Sequence, residues 1–154
     1  MPMIDLPPGA LDELRALYRS LDGEVASLDC SCARCGACCD FSRSGLSLYM
    51  GPVEAALFFQ RAPASHTTNA EICQFFINRA CTNRDARSIG CRTYFCSSPL
   101  RDTLQDLHEK YLALSRHLCE RLHIPWRYQP LSRWTHEYSI TSEDCNPNAA
   151  KRLW

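Results

Sequence analysis

Between positions 10 and 27 the apolar residues Leu11, Leu14, Leu17, Tyr18, Leu21 and Val25 recur at steps of three and four, with charged and small residues between them. A helix collects such positions on one face, so the spacing predicts an amphipathic helix over 10–27, with Pro7 and Pro8 as its start signal. The same period returns over 99–124, where Leu104, Leu107, Tyr111, Leu114, Leu118 and Leu122 form a stripe. This is expected to be the longest helix, ended by Pro125. Between the two, "GPVEAALFFQRA" carries Pro52 where a first helical turn accepts it and is apolar enough for a short buried helix. In "FSRSGLSLYM", Leu46, Leu48 and Met50 alternate as in a short strand, and the stretch reads as either strand or loop.

Other stretches lack either period. "PASHTTNAE" reads as loop, and the segment from Cys73 to Cys96 reads as irregular structure fixed by something other than backbone ladders. "PWRYQPLSRWTHEYSI" brings Trp126, Tyr128 and Trp134, expected to pack back on the core, and "TSEDCNPNAAKRLW" is a polar tail expected to be mobile at its end. No repeat and no linker divides the chain, so residues 1–154 read as one domain: helix 10–27, cysteine-rich core 30–96, long helix 99–124 and an aromatic and polar tail 125–154.

Composition narrows what such a domain does. With 154 residues, 45% of them hydrophobic, it can bury a core without disulfide staples. Seventeen basic residues balance seventeen acidic ones, so no net field draws the chain to nucleic acid or to a membrane surface, and neither partner is expected. The N-terminal stretch holds no continuous apolar run of the kind a signal peptide or membrane span needs, and a soluble, cytoplasmic protein is expected. In a reducing compartment, eleven cysteines point to metal or redox chemistry rather than to a disulfide framework.

Eight of those cysteines fall into two groups of four: Cys32, Cys35, Cys38 and Cys39, then Cys73, Cys81, Cys91 and Cys96. A CxxC pair lets a tight turn aim two sulfurs at one ion, and Gly36 follows "CARC" where such a turn requires a positive φ. Tetrahedral zinc and iron–sulfur clusters both take four thiolates, so ligand count leaves zinc and iron open. Cys32, Cys35 and Cys38 match the start of a bacterial ferredoxin run, but its fourth position falls on Ser42 and no proline follows. The second group lacks the paired CxxC knuckles of a zinc ribbon. Arg34, Arg43, Arg79, Arg84, Arg87 and Arg92 lie within or beside the groups, where they offset thiolate charge.

The block CxxCxxCC at Cys32, Cys35, Cys38 and Cys39, followed by "CQFF", by Cys81 and by "RSIGCRTYFC", resembles the YkgJ family of cysteine-cluster proteins, described as chelating zinc or iron. The family's closing pattern is similar to Arg87, Cys91, Arg92, Tyr94 and Cys96 here, with Ser88 where the family usually has proline. The resemblance implies metal chelation, and with the charge argument it nominates Arg87 and Arg92 as residues beside the bound metal. A related motif occurs in flagellin lysine N-methylases, but no glycine-rich methyl-donor loop is present here.

Three cysteines stand apart. Cys30 reads as an outlying thiol, Cys119 as a small core hydrophobe and Cys145 as incidental. His66, His108, His117, His123 and His136 form no HxxxH or HExxH pair and read as surface or satisfied core residues. The expected molecule is a small, mainly α, single domain in which two or three helices frame an irregular cysteine-rich centre. That centre would bind zinc or iron, an iron–sulfur cluster included, in a structural or redox accessory role, with room for a protein partner. A metal- or thiol-dependent enzyme is the alternative.

Overall fold

Helix α1 (Ala10–Ala26) forms where its apolar stripe demands: Leu14, Tyr18 and Leu21 are buried, and Leu11, Leu17 and Val25 pack beside them. The computed structural model describes residues 4–30, 32, 36, 38–61, 71–95 and 99–144. The loop expected around 63–71 lies almost wholly outside them, as does the tail from 145 onward.

The described residues are mainly α, with six helices and two small two-stranded sheets. The long helix α5 (Arg101–Arg121) runs antiparallel beside α1, with Lys110 paired to Glu24 and Arg121 to Glu13, and Tyr111, Leu118 and Cys119 enter the core that α1 shares. Leu114 departs from the expected stripe: it is an exposed large hydrophobe, because Ser115 takes the buried position beside it. Nor does Pro125 end this helix. His123 takes a left-handed φ of 56°, and the Ile124 N–H reaches back to the Cys119 carbonyl at 2.8 Å, closing the last turn from within.

Helix α3 (Pro52–Phe58) is buried on nearly every side and joins the two parts of the core. Val53 and Leu57 pack with α1 and α5, whereas Ala55 and Phe58 pack with Cys73, Phe75, Leu131 and Trp134. At its N-terminus lies Glu54, only 1% exposed. Its carboxylate accepts the N–H of Gly51 at 3.0 Å, the N–H of Ile89 at 2.8 Å and the Tyr18 hydroxyl at 3.2 Å. One side chain thus ties α1, α3 and the short helix α4 (Ile89–Thr93) together.

The tail holds more order than its polar composition suggests. Helix α6 (Leu131–Asp144) begins on Leu131 and runs through "TSED". Leu131, Trp134 and Tyr138 fall at helical steps, so the segment has an inward face even though it is otherwise polar. Strand β1 (Tyr49–Met50) pairs with β4 (Gln129–Pro130), and the fully buried Trp134 indole donates to the Met50 carbonyl at 2.9 Å. No helix among the described residues is long and apolar enough to cross a membrane.

Candidate metal centre

The cysteine-rich region is assembled by backbone pairing of distant segments. After Gly36, a turn carries the Cys39 N–H to the Gly36 carbonyl at 3.0 Å, and the four-residue helix α2 (Phe41–Ser44) follows. Asp40 then forms an isolated antiparallel bridge with Ile72, and the Cys73 N–H donates to the Cys39 carbonyl at 2.8 Å. Two cysteines more than thirty positions apart in sequence are thereby set side by side.

A hairpin brings in a third element. Strands β2 (Phe76–Ile77) and β3 (Ala80–Cys81) pair with Phe76 opposite Cys81. Their two-residue turn, Asn78 and Arg79, has both φ values positive, at 51° and 62°, the conformation whose twist matches a tight hairpin. The segment without sequence period is therefore a short hairpin, a 3-10 turn (Arg84–Ala86) and helix α4, each too short to imprint a pattern.

Gly36 locks this arrangement. Its φ is 74°, and a Cβ there would fall 2.2 Å from the Phe76 ring. Only glycine lets the cysteine loop lie flat against the hairpin while holding a left-handed conformation.

The result is one cluster of thiols drawn from both sequence groups. Cys39 lies within hydrogen-bonding reach of Cys38, Cys73 and Cys81. Those three also feel one another's charge, so all four are mutual neighbours. Cys91 adjoins them, close enough to interact with Cys73 and Cys38, and its sulfur accepts from the Ser88 hydroxyl at 3.4 Å. Ser88, where the resembling family has proline, caps α4 by accepting the Cys91 N–H at 3.3 Å. A proline could offer neither contact.

The thiols are electrostatically unequal. Hydrogen bonding from Cys39 pulls Cys38 and Cys81 down to about 6, with Arg87 assisting at both and Arg84 at Cys81. Cys73 is lowered by the same Cys39 thiol. Cys39 moves the other way, since its bonds to three neighbours favour keeping its proton. Burial pushes Cys91 up to about 12. The group is one partly ionised network rather than a set of independent thiols.

Cys38, Cys39, Cys73, Cys81 and Cys91 are free thiols. Their donor set suits zinc or an iron–sulfur cluster. Among the described residues no group of three or more His, Cys, Asp or Glu side chains is yet disposed about a single ion.

The other nominated residues divide. Cys32 is exposed and lines the cavity beside the cluster, while Cys35 and Cys96 lie outside the described residues, as do Arg34 and Cys145. Arg87 lines the same cavity. Arg92 does something else: its guanidinium donates to Asp22 at 2.6 Å, to the Asp85 carbonyl at 2.7 Å and to the Arg87 carbonyl at 2.8 Å, and covers the Tyr18 ring at 4.1 Å. It pins the 3-10 turn and α4 to α1, and so supports Arg87 through its backbone. Cys119 is a buried thiol in the core, and the Cys30 thiol reaches the Val25 carbonyl at 4.0 Å.

Sequence reasoning passed over the cavity's other wall. It comprises Arg101, Leu104, Gln105 and His108, at steps of three and four on one face of α5. Leu104 alone carried an apolar signal, so periodicity gave no reason to single out its polar neighbours. No family model, no curated protein and no solved structure matches the chain.

Proposed function

We propose that this protein chelates zinc or iron, an iron–sulfur cluster included, through Cys38, Cys39, Cys73 and Cys81, with Cys91 adjoining. The observation that carries this reading is the mutual proximity of four thiols contributed by three segments of chain. A core has no need of such a gathering, because four neighbouring thiols pack no better than four small hydrophobes and ionise against one another. The cysteine spacing that resembles the YkgJ family supports the same reading, and Cys32, Cys35 and Cys96 are further candidate ligands for a second centre or a larger cluster.

When bound, zinc would supply folding free energy and iron–sulfur would supply electron transfer, so the role is structural or that of a redox accessory. The chain's own contribution is to hold the thiolates close, to balance their charge with Arg84 and Arg87, and to fix those arginines by the contacts of Arg92. A metal- or thiol-dependent enzyme is the second reading, favoured by the cavity that opens beside the cluster.

The test is elemental analysis with an optical spectrum on anaerobically purified protein, counting zinc, iron and acid-labile sulfide per chain. Stoichiometric metal that is lost in Cys39→Ser and Cys81→Ser, but kept in Cys119→Ala, is expected. Absence of both metals from well-folded parent protein would overturn chelation.

A further inference from the structure

The cavity beside the thiols measures about 720 Å³, within the range of small-molecule sites. Its lining is lopsided in charge. Arg84, Arg87 and Arg101 line it, and no carboxylate does among the described residues, in a chain whose acids and bases balance. Arg84 and Arg87 act on Cys38 and Cys81 and belong to the thiol centre. Arg101 stands on the α5 wall, apart from that duty, with no salt bridge to occupy it among the described residues. An exposed guanidinium in a carboxylate-free cavity is suited to an anion.

His108 adds polarity of another kind. The Thr93 hydroxyl donates to the Ile89 carbonyl at 2.9 Å, so at 3.2 Å from the same oxygen the His108 Nδ1 is left to donate its own proton to it. Burial lowers the His108 pKa and so favours the neutral ring, in which Nε2 is an acceptor when Nδ1 carries the proton. Next along the lining are aromatic groups. The described chain has four exposed large hydrophobes, and three of them, Tyr49, Tyr94 and Tyr128, line this cavity. The Tyr49 and Tyr128 rings lie 5.6 Å apart, and Trp126, which is not part of the lining, stacks on Tyr128 with planes 4° apart and helps fix its ring. Exposed tyrosines gathered at one opening are unusual for a surface without a ligand, and offer a planar ring a face to lie on.

We infer that the cavity binds a small aromatic carboxylate, its ring against Tyr49 and Tyr128 and its carboxylate on Arg101. That this ligand lies next to a metal rests on the function proposed above; the binding of the anion does not.

Protein-observed NMR and calorimetry on the protein as purified, with its metal content measured on the same sample, would test this with naphthalene-2-carboxylate as probe. Saturable binding is expected, with shifts at Tyr49, Tyr128 and Arg101. Naphthalene-2-carboxamide, the same shape without charge, and adamantane-1-carboxylate, the same charge without a ring, should each bind at least tenfold more weakly. Arg101→Gln should weaken the carboxylate at least tenfold while leaving the carboxamide and the metal content unchanged, and Arg101→Lys should restore part of the loss. Unsaturable binding, equal affinity for the carboxamide, or indifference to Arg101→Gln would overturn the inference. Metal without probe binding would sink this site alone, whereas probe binding without metal would sink chelation alone.

Discussion

Glu54 offers the sharpest test of how the fold supports the cysteine region, because three buried donors from three elements converge on it. In Glu54→Ala, the N–H groups of Gly51 and Ile89 and the hydroxyl of Tyr18 lose their acceptor. The two N–H groups stand at helix N-termini, where no backbone carbonyl of the same helix can replace the carboxylate. A stranded buried donor costs about 1–3 kcal/mol, so partial relaxation leaves a loss of about 3–5 kcal/mol. Glu54→Gln keeps the volume and one acceptor oxygen but turns an amide toward one donor, which predicts a smaller loss of about 1–3 kcal/mol. Urea denaturation followed by circular dichroism, at equal metal content, measures both.

The pH dependence gives an independent check. Burial raises the Glu54 carboxyl above its ordinary 4.5, although its hydrogen bonds from Gly51, Ile89 and Tyr18 pull the other way. The folded state therefore binds this proton more tightly than the unfolded state does. Its contribution is largest below 4.5 and declines as pH climbs from 4.5 through the raised folded value. Glu54→Gln cannot titrate, so the parent's advantage over it should shrink across that window. An Ala variant within about 1 kcal/mol of the parent, or a Gln variant as damaged as Ala, would refute the converging role assigned to this carboxylate.

Three further outcomes follow from other contacts. Gly36→Ala must place a Cβ 2.2 Å from the Phe76 ring in a left-handed backbone, whereas Gly45→Ala, at a φ of 68°, meets nothing within 4 Å. Gly45→Ala should cost only the left-handed strain of about 1–2 kcal/mol, and Gly36→Ala should cost more and lower metal content, which elemental analysis of both variants checks. In metal-free protein at neutral pH, iodoacetamide should label Cys38 and Cys81, held at about 6, well before Cys91 at about 12 or the buried Cys119 at about 11, as read by peptide mass spectrometry; equal labelling would contradict the network. The Ser115 hydroxyl is buried with no partner among the described residues, so Ser115→Ala should raise stability by about 1 kcal/mol in thermal denaturation, and a loss would reveal a hidden partner.

Much of the helical frame was legible before the structure. The stripe over 10–27 corresponds to α1, Pro52 opens α3, and the leucines after 99 lie on α5, because amphipathic helices record their buried face in the local sequence. The left-handed Gly36 was legible too, from its place after the CxxC turn. Helix α6 was missed because only Leu131, Trp134 and Tyr138 mark its inner face, and its polar remainder reads as tail. Arg92 carried the same sequence signal as Arg87, yet Asp22, seventy positions away, draws it into a supporting contact.

The sequence by itself determined the ingredients: the helices over 10–27, from Pro52 and over 99–124, the concentration of thiols in 30–96, and the arginines that accompany them. Tertiary structure alone decided which thiols meet. Cys38 and Cys39 join Cys73 and Cys81 through the Asp40–Ile72 bridge and the hairpin turn, so the cluster crosses the boundary between the two sequence groups. Backbone pairing between distant segments leaves no periodic trace in either one, since a two-residue strand is too short to alternate. The cavity lined by arginines, with no carboxylate among the described residues, follows from the same cause: its walls include α5, the hairpin and β1, and its charge is a property of their meeting.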